Sequence, residues 1–458
     1  MTQTVINPSN GRTLHEFPVL DPAQRDTVLE RADAAYRDWR KTSFAERAAL
    51  MRRVAEVMRE DRERLALLMT DEMGKPIREA RGEVDKAAWC AEHYADHAEH
   101  YLDAEMLGSD ATVSYVQYLP IGTVLGILPW NAPFWLAFRF AAPALMAGNT
   151  CVMKHDAHVP GCAAGIMESF ERAGFPQGVF QNMPLETDDI AGAIETESVR
   201  AVSFTGSDRA GSIVAATAAR QIKPAVLELG GSDPVIVLAD ADLEAAADTV
   251  VLSRIINAGQ SCIAAKRIII EESIYERFLD MMKARLEKLT MGDPHEESTD
   301  VGPIARADLR DGLHRQVQAS IEAGARCLLG GEMPEGDGYF YPVTLLADVD
   351  DSMVAFCEET FGPIAVAMPA SDADEALDIA NSSAYGLGAA VWTADTARAI
   401  NMARDIETGQ VAINGIVKTD PRLPSGGTKR SGYGRELGPH GIKMFVNAQQ
   451  VWVGPKQQ

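Results

Sequence analysis

Through three stretches of the first hundred residues, Asp21 to Arg40, Ala45 to Glu72 and Ile77 to Ala104, apolar residues recur every three or four positions between charged ones. That period lines one side of a helix with apolar side chains, so three amphipathic helices are predicted. Gly74, Lys75 and Pro76 break the last two apart. The pattern then changes to alternation in Thr112 to Tyr118, TVSYVQY, which predicts an extended ribbon with one wetted face. An exposed ribbon of this kind suits pairing between subunits.

From Thr123 onward, short β-rich runs alternate with helical stretches. The runs are TVLGIL, TCVMK, AVSF, KPAVLEL and PVIVL, and the helices include Val159 to Ala173 and Arg209 to Ala219. A second series has strands at Arg267 to Ile270, Ile364 to Met368, Ala389 to Trp392 and Gln410 to Ile413, separated by helices such as Ile274 to Leu289 and Asp372 to Ala380. Strand and helix in alternation predict parallel sheets covered by helices on both faces, so the fold class is α/β with two doubly wound, Rossmann-like units in tandem. After Pro424 the chain is glycine-rich, and Met444 to Val453 turns β-like again.

The apolar segment Leu119 to Met153 is long enough to span a bilayer and carries only Arg139 as a charge. Pro120, Pro129, Pro133 and Pro143 cut it into pieces shorter than a membrane helix, so no membrane association is expected. The 458 residues suffice for two or three domains, and a formal charge of −23 argues against nucleic acid as a partner. The six cysteines are scattered and form no CxxC pair, which predicts neither a disulfide framework nor a metal cluster. No basic stretch followed by an apolar core opens the sequence, so a cytoplasmic, reducing location is expected.

Three segments carry candidate chemistry. Phe204-Thr205-Gly206-Ser207 ends a β-run and Gly211 opens the next helix, a spacing that lets backbone approach a pyrophosphate at a helix N-terminus or simply makes an ordinary turn. Glu228 lies in an apolar run ending in Gly230-Gly231. Buried, it is a carboxyl with a raised pKa suited to general-base work; otherwise it is a solvent-facing side chain at a sheet edge. Cys262 follows the small polar loop Asn257-Ala258-Gly259-Gln260-Ser261, which can present a thiol to a cleft shared with Glu228, although most lone cysteines are inert core residues.

Six motifs occur together: Pro129-Trp130-Asn131, Phe204-Thr205-Gly206-Ser207, Glu228-Leu229-Gly230-Gly231, Gly259-Gln260-Ser261-Cys262, Glu359-Thr360-Phe361-Gly362-Pro363 and Ser431-Gly432-Tyr433-Gly434-Arg435-Glu436. In order and spacing they resemble the aldehyde dehydrogenase superfamily across nearly the whole chain. The resemblance implies that Cys262 is the nucleophile and that the oxyanion is held by the Asn131 amide and the Cys262 N–H. It implies that Glu228 activates the hydrolytic water, which speaks against the CoA-acylating branch. Cofactor contacts are implied for Trp130, Lys154, Gly206, Ser207, Glu359 and Phe361. Where NAD-preferring relatives carry a glutamate, this chain has Ala157, so NADP is the expected cofactor, with NAD also usable.

The wording GGSDP after Glu228 and GQSCIAAKR around Cys262 most resembles bacterial succinate semialdehyde dehydrogenases. In that subgroup Arg139 would grip a distal carboxylate, with Thr419 adding a hydroxyl; the plainer role for Arg139 is an ion pair with an acidic neighbour. A second arginine found in some relatives is replaced by Ile256, and Ala264 removes the resolving cysteine of a redox lock. The expected reaction is therefore NAD(P)-dependent oxidation of succinate semialdehyde to succinate. A broad aliphatic or glutarate semialdehyde dehydrogenase stands as the alternative, and a non-catalytic nucleotide-binding protein as the rival from another class. The family pattern divides the chain into a cofactor domain (1–102 and 121–229), a catalytic domain (230–424) and a bridging arm (103–120 and 425–458), assembled as a homodimer or homotetramer.

Overall fold

A computed structural model describes residues 2–454. Two parallel sheets dominate it. The first runs, in spatial order, Gly432–Tyr433, Ala225–Glu228, Val199–Thr205, Thr123–Ile127, Thr150–Lys154 and Phe180–Asn182, parallel except for the short first strand. The second runs Arg326–Leu329, Thr344–Ala347, Ile364–Ala370, Arg267–Glu271, Pro234–Val237, Gly388–Trp392 and Gln410–Ile413, again with one antiparallel edge. Central strands of both sheets are buried along their whole length, as sheets covered by helices on both faces require. The α/β class and the double winding expected from the alternating runs are what the structure shows.

Most of the expected helices form. Asp21 and Ser43 open Pro22–Trp39 and Phe44–Glu60 with reciprocal capping boxes to Gln24 and Glu46. The single helix predicted over Ala45 to Glu72 is in fact two, Phe44–Glu60 and Arg62–Met73. Asp61 leaves helical geometry at the junction, its carboxylate held 2.9 Å from Arg172 Nη1 and against Arg64, so the second helix can turn and pack on Pro160–Arg172. The strand pair Thr2–Ile6 and Thr13–Pro18 was not predicted.

The apolar segment is divided into pieces shorter than a membrane helix, as expected, although Pro143 is not one of the breaks. Pro133 occupies the first turn of Pro133–Met146, where no N–H is needed, and Pro143 is accommodated inside this wholly buried helix. Among the described residues, no helix is long and apolar enough to cross a membrane.

The ribbon prediction holds over Val113–Pro120, which pairs antiparallel with Val446–Val453 and with Glu105–Met106 in a three-stranded sheet. Between Pro424 and that last strand the chain returns to the first sheet. Gly432–Tyr433 pairs beside Glu228 there, and Gly438–Lys443 is a short helix.

Candidate functional site

In the first sheet the chain order reverses between Thr123–Ile127 and Val199–Thr205. At such a switch point the loops leaving the carboxyl ends of the strands diverge and open a crevice. The sequence places its candidates on those loops: Trp130 and Asn131 after one strand, Lys154 at the end of the next, Gly206 and Ser207 after a third, and Glu228 closing a fourth. Cys262 arrives from the second sheet, on the loop that leads into Arg267–Glu271.

A cavity of about 360 Å³ lies between them, and Asn131, Arg139, Cys262 and Thr419 line it together with Trp135 and Lys86. Four of the predicted residues are thus brought to one space. Glu228 is not on its wall; it lies one layer deeper, against Arg139, so the carboxyl and the thiol do not simply face each other as the sequence reading expected.

The thiol end is built from strained backbone. Asn257 and Ala258 have φ of 56° and 52°, left-handed values that cost non-glycine residues energy and persist only where neighbours enforce them. Here Glu79 accepts the Asn257 N–H at 2.7 Å, and the Asn257 amide donates to the carbonyls of Asn131 and Gln260 at 2.9 and 3.1 Å. The carbonyl of Asn131 also receives Lys75 Nζ at 2.9 Å. Glu83 pairs with that lysine and accepts the N–H groups of Phe134 and Trp135 at the start of the next helix.

Asn131 is therefore fixed from three sides, with its amide 3.1 Å from Gln260 O. Burial pushes the Cys262 thiol up to about 11, opposed first by the charge of Lys266 and then by Arg139.

At the other end the open alternatives for Glu228 and Arg139 resolve. Glu228 is buried, 4 % exposed, although its strand is next to the edge. Burial holds its carboxyl above the usual range, with Arg139 pulling the other way and Glu436 adding to the rise. Arg139 Nη2 lies 3.4 Å from Glu228 Oε2, and its Nε pairs with Glu436. Glu436 in turn accepts Ser203 Oγ at 3.0 Å. Arg139 both lines the cavity and forms the acidic pair that was its plainer role. Glu228 Oε1 is buried and accepts no hydrogen bond from the protein.

The cofactor candidates form a second group. Ser207 caps Asp208–Arg220, accepting the Ala210 N–H at 3.3 Å, so the helix opens three residues before the predicted Gly211. Gly211 serves packing instead: a Cβ there would stand 2.5 Å from Leu229. Lys154 is buried and makes no ion pair among the described residues, and burial lowers its pKa. A buried cation without an ion pair fits an anionic ligand group. Trp130 and Phe361 meet edge to face, centroids 5.8 Å apart, and Glu359 lies beside Gly230 and Gly231. Asp156, next to Ala157, spends its carboxylate on the backbone and ring of His158 at 3.0 and 2.8 Å.

Sequence reasoning assigned no role to Lys86, Glu436 or Lys266. Lys86 Nζ donates to Thr419 Oγ1 at 2.8 Å and lies 4.1 Å over the Trp135 ring, its pKa lowered by burial to about 8. The spacing of Glu83, Lys86 and Cys90 on one helical face was the available signal, since Glu83 and Cys90 are buried.

Comparison with known proteins adds the following. The model of the aldehyde dehydrogenase family matches residues 1–451. The chain is 43% identical over 458 residues to a succinate-semialdehyde dehydrogenase (NADP+) 1 of Mycobacterium tuberculosis, covering 99% of this chain and 100% of that one. It is 44% identical over 456 residues to an aldehyde dehydrogenase of Paenarthrobacter nicotinovorans, with the same coverage. The crystal structure of succinic semialdehyde dehydrogenase from Streptococcus pyogenes in complex with NADP+ superposes with a TM-score of 0.97 at 34% identity, covering 99% of this chain and 100% of that one.

Proposed function

The chain belongs to the aldehyde dehydrogenase family, and from that premise we propose that it oxidises succinate semialdehyde to succinate with NADP as the preferred cofactor and NAD as a usable one. The observation that carries the proposal is the cavity itself, which has the Cys262 thiol and the Asn131 amide on its wall together with the cations Lys86 and Arg139 beside the Thr419 hydroxyl. An aldehyde bearing a carboxylate matches those two ends. Relatives named for this reaction and this cofactor support the same reading.

Cys262 adds to the aldehyde carbon as its thiolate, the thiol proton having passed to solvent, and the resulting oxyanion is met by the Cys262 N–H and the Asn131 amide. Preorganised donors of this kind each contribute about 10²–10³ in rate. A bound nicotinamide would supply the hydride acceptor, and loss of hydride from that carbon would leave Cys262 as a thioester. Glu228 then removes a proton from water, which attacks the thioester and releases the acid and the thiolate. The free Oε1 of Glu228 is the atom available to that water.

Lys154, Gly206 and Ser207 would hold the phosphate and ribose end of the cofactor, while Trp130, Glu359 and Phe361 would hold the nicotinamide end. Ala157 offers no carboxylate against a 2′-phosphate, and the charge of Asp156 is already committed to His158.

One observation favours a second reading, a broad aliphatic or glutarate semialdehyde dehydrogenase: Arg139 is already engaged by Glu228 and Glu436. Comparing kcat/KM for succinate semialdehyde, glutarate semialdehyde and butanal, each with NADP and NAD, separates the two. A strong preference for the four-carbon charged substrate supports the first, and equal rates with butanal overturn it.

In the same reading, 1–102 with 121–229 form the cofactor domain, 230–424 the catalytic domain, and 103–120 with 425–458 the arm. Among the described residues the strand Val446–Val453 has one unpaired edge, and Met106, Leu107, Val113, Trp452 and Val453 are exposed nearby, which supports a homodimer or homotetramer. Light scattering on the purified chain tests it. Six free thiols support a cytoplasmic, reducing location, which fractionation of the source cells checks.

A further inference from the structure

Lys266 stands four residues after Cys262, immediately before the strand Arg267–Glu271, and is 1 % exposed. Its ammonium donates to the carbonyl oxygens of Ser261 at 2.9 Å and Cys262 at 2.6 Å, and lies 3.0 Å from Glu359 Oε1. Two hydrogen bonds to carbonyl oxygens and one ion pair thus surround the group. Glu359 Oε1 also accepts the Gly231 N–H at 3.2 Å, so this oxygen is fixed while Oε2 stays available. Burying an ammonium is costly unless it is paired, so these partners define its role.

The geometry has a directional consequence. A trans peptide is planar with its C=O and N–H opposed. Holding Ser261 O on the ammonium therefore turns the Cys262 N–H to the opposite side, where it makes no backbone hydrogen bond.

We propose that Lys266 is a positioning residue that ties the Glu359 carboxylate to the Ser261-Cys262 peptide, so that the aim of the Cys262 N–H and the readiness of the thiol depend on the state of that carboxylate. The coupling to cofactor rests on the reading of Glu359 as a ribose contact. The charged groups that act on the thiol are Lys266 and Arg139, which favour the thiolate, and Glu359 and Asp233, which oppose it.

The test is the rate at which iodoacetamide alkylates Cys262 in the full chain across neutral to alkaline pH, read by peptide mass spectrometry. The variants are Lys266→Met, Lys266→Arg, Glu359→Gln and the Lys266→Met/Glu359→Gln pair. Cys90, Cys151 and Cys162 are buried and report unfolding, while exposed Cys327 and Cys357 report reagent activity.

Expected for Lys266→Met is labelling about tenfold slower near neutrality, with the rise displaced to higher pH. Lys266→Arg restores most of the rate. Glu359→Gln speeds labelling in the wild-type background and does so far less in the Met background, the non-additivity that coupling requires. Coincident profiles for wild type and Lys266→Met with protected buried thiols, or an equal Glu359→Gln effect in both backgrounds, overturn the proposal. Should the Met variant expose the buried thiols, the single Glu359→Gln variant decides: unchanged labelling overturns it. Alkylation needs no aldehyde, so a wild-type protein that reduces NADP with no aldehyde refutes the proposed reaction without touching this outcome.

Discussion

Nη2 of Arg139 lies 3.4 Å from Oε2 of Glu228, so the cation assigned to the substrate's far end is also the counter-ion of the carboxylate assigned to water activation. In the proposed reaction a single guanidinium would thereby join substrate recognition to deacylation. Replacing it disturbs both.

For Arg139→Ala, kcat is expected to fall about 10- to 100-fold with charged and uncharged aldehydes alike, because Glu228 loses the charge that favours its ionised form. The base works only when ionised and its pKa is already raised, so activity is present above that pKa and lost as pH falls through it. Removing Arg139 moves this acid limb to higher pH, which a kcat-pH profile measures. An unmoved limb would show that the pair does not tune the base.

Lys86→Met is expected to act on charge alone. KM for succinate semialdehyde rises about 10- to 100-fold, the loss of one hydrogen bond to a charged group, while KM for butanal changes little. The ammonium, with a pKa lowered to about 8, is charged below that value. For the wild type, kcat/KM with the semialdehyde should therefore decline as pH rises through about 8, and kcat/KM with butanal should not. Parallel declines would remove Lys86 from substrate recognition.

Glu228→Gln separates the two half-reactions. A first-turnover burst of reduced cofactor persists while steady turnover falls by about 10²–10⁴, the usual range for a general base. Asn131→Ala instead weakens the burst itself, because its amide acts on the oxyanion before the thioester exists. Stopped-flow absorbance distinguishes the outcomes.

Lys75→Met leaves the Glu83 carboxylate buried without its cation. Breaking a buried pair in this way costs about 3–5 kcal/mol, to be read as a lower midpoint in urea unfolding. Because Lys75 also holds the Asn131 carbonyl, the soluble variant should show the same weakened burst as Asn131→Ala.

Ala157→Glu sets a carboxylate where a 2′-phosphate would come. The ratio of kcat/KM for NADP to that for NAD is expected to fall about 10- to 100-fold, as like charges brought together cost on the order of several kcal/mol. An unchanged ratio would place the 2′-phosphate elsewhere.

Much of this architecture was legible because its signals are local. Runs such as TVLGI and PVIV are buried parallel strands because they are apolar along nearly their whole length and carry no charge. The turn at Gly206 and Ser207 carries its own cap chemistry within four residues.

What the sequence did not show are partnerships across the chain. Lys86 meets Thr419 from 333 positions away, and Glu436 reaches Arg139 from a distant part of the sequence. Periodicity also misjudged Pro143, since a proline is tolerated in a helix buried on every side by packing that its own sequence does not record. The N-terminal strand pair escaped notice because Thr2–Ile6 buries a polar Gln3 at one of its inward positions and Thr13–Pro18 is mostly exposed.

At Gly432 the tail passes so close to the strand ending in Glu228 that a Cβ would sit 2.0 Å from the Leu227 carbonyl oxygen, and its φ is 107°. Only hydrogen fits there. The dryness of Glu228 therefore depends on a late stretch of chain lying along the edge of an otherwise complete sheet. A single proteolytic cut between Pro424 and Gly432 is expected to loosen that edge strand and, with it, Glu436, the carboxylate paired with Arg139, while the other strands of both sheets keep their pairing. Turnover is then expected to fall ahead of the circular dichroism signal, with intact mass reporting the cut.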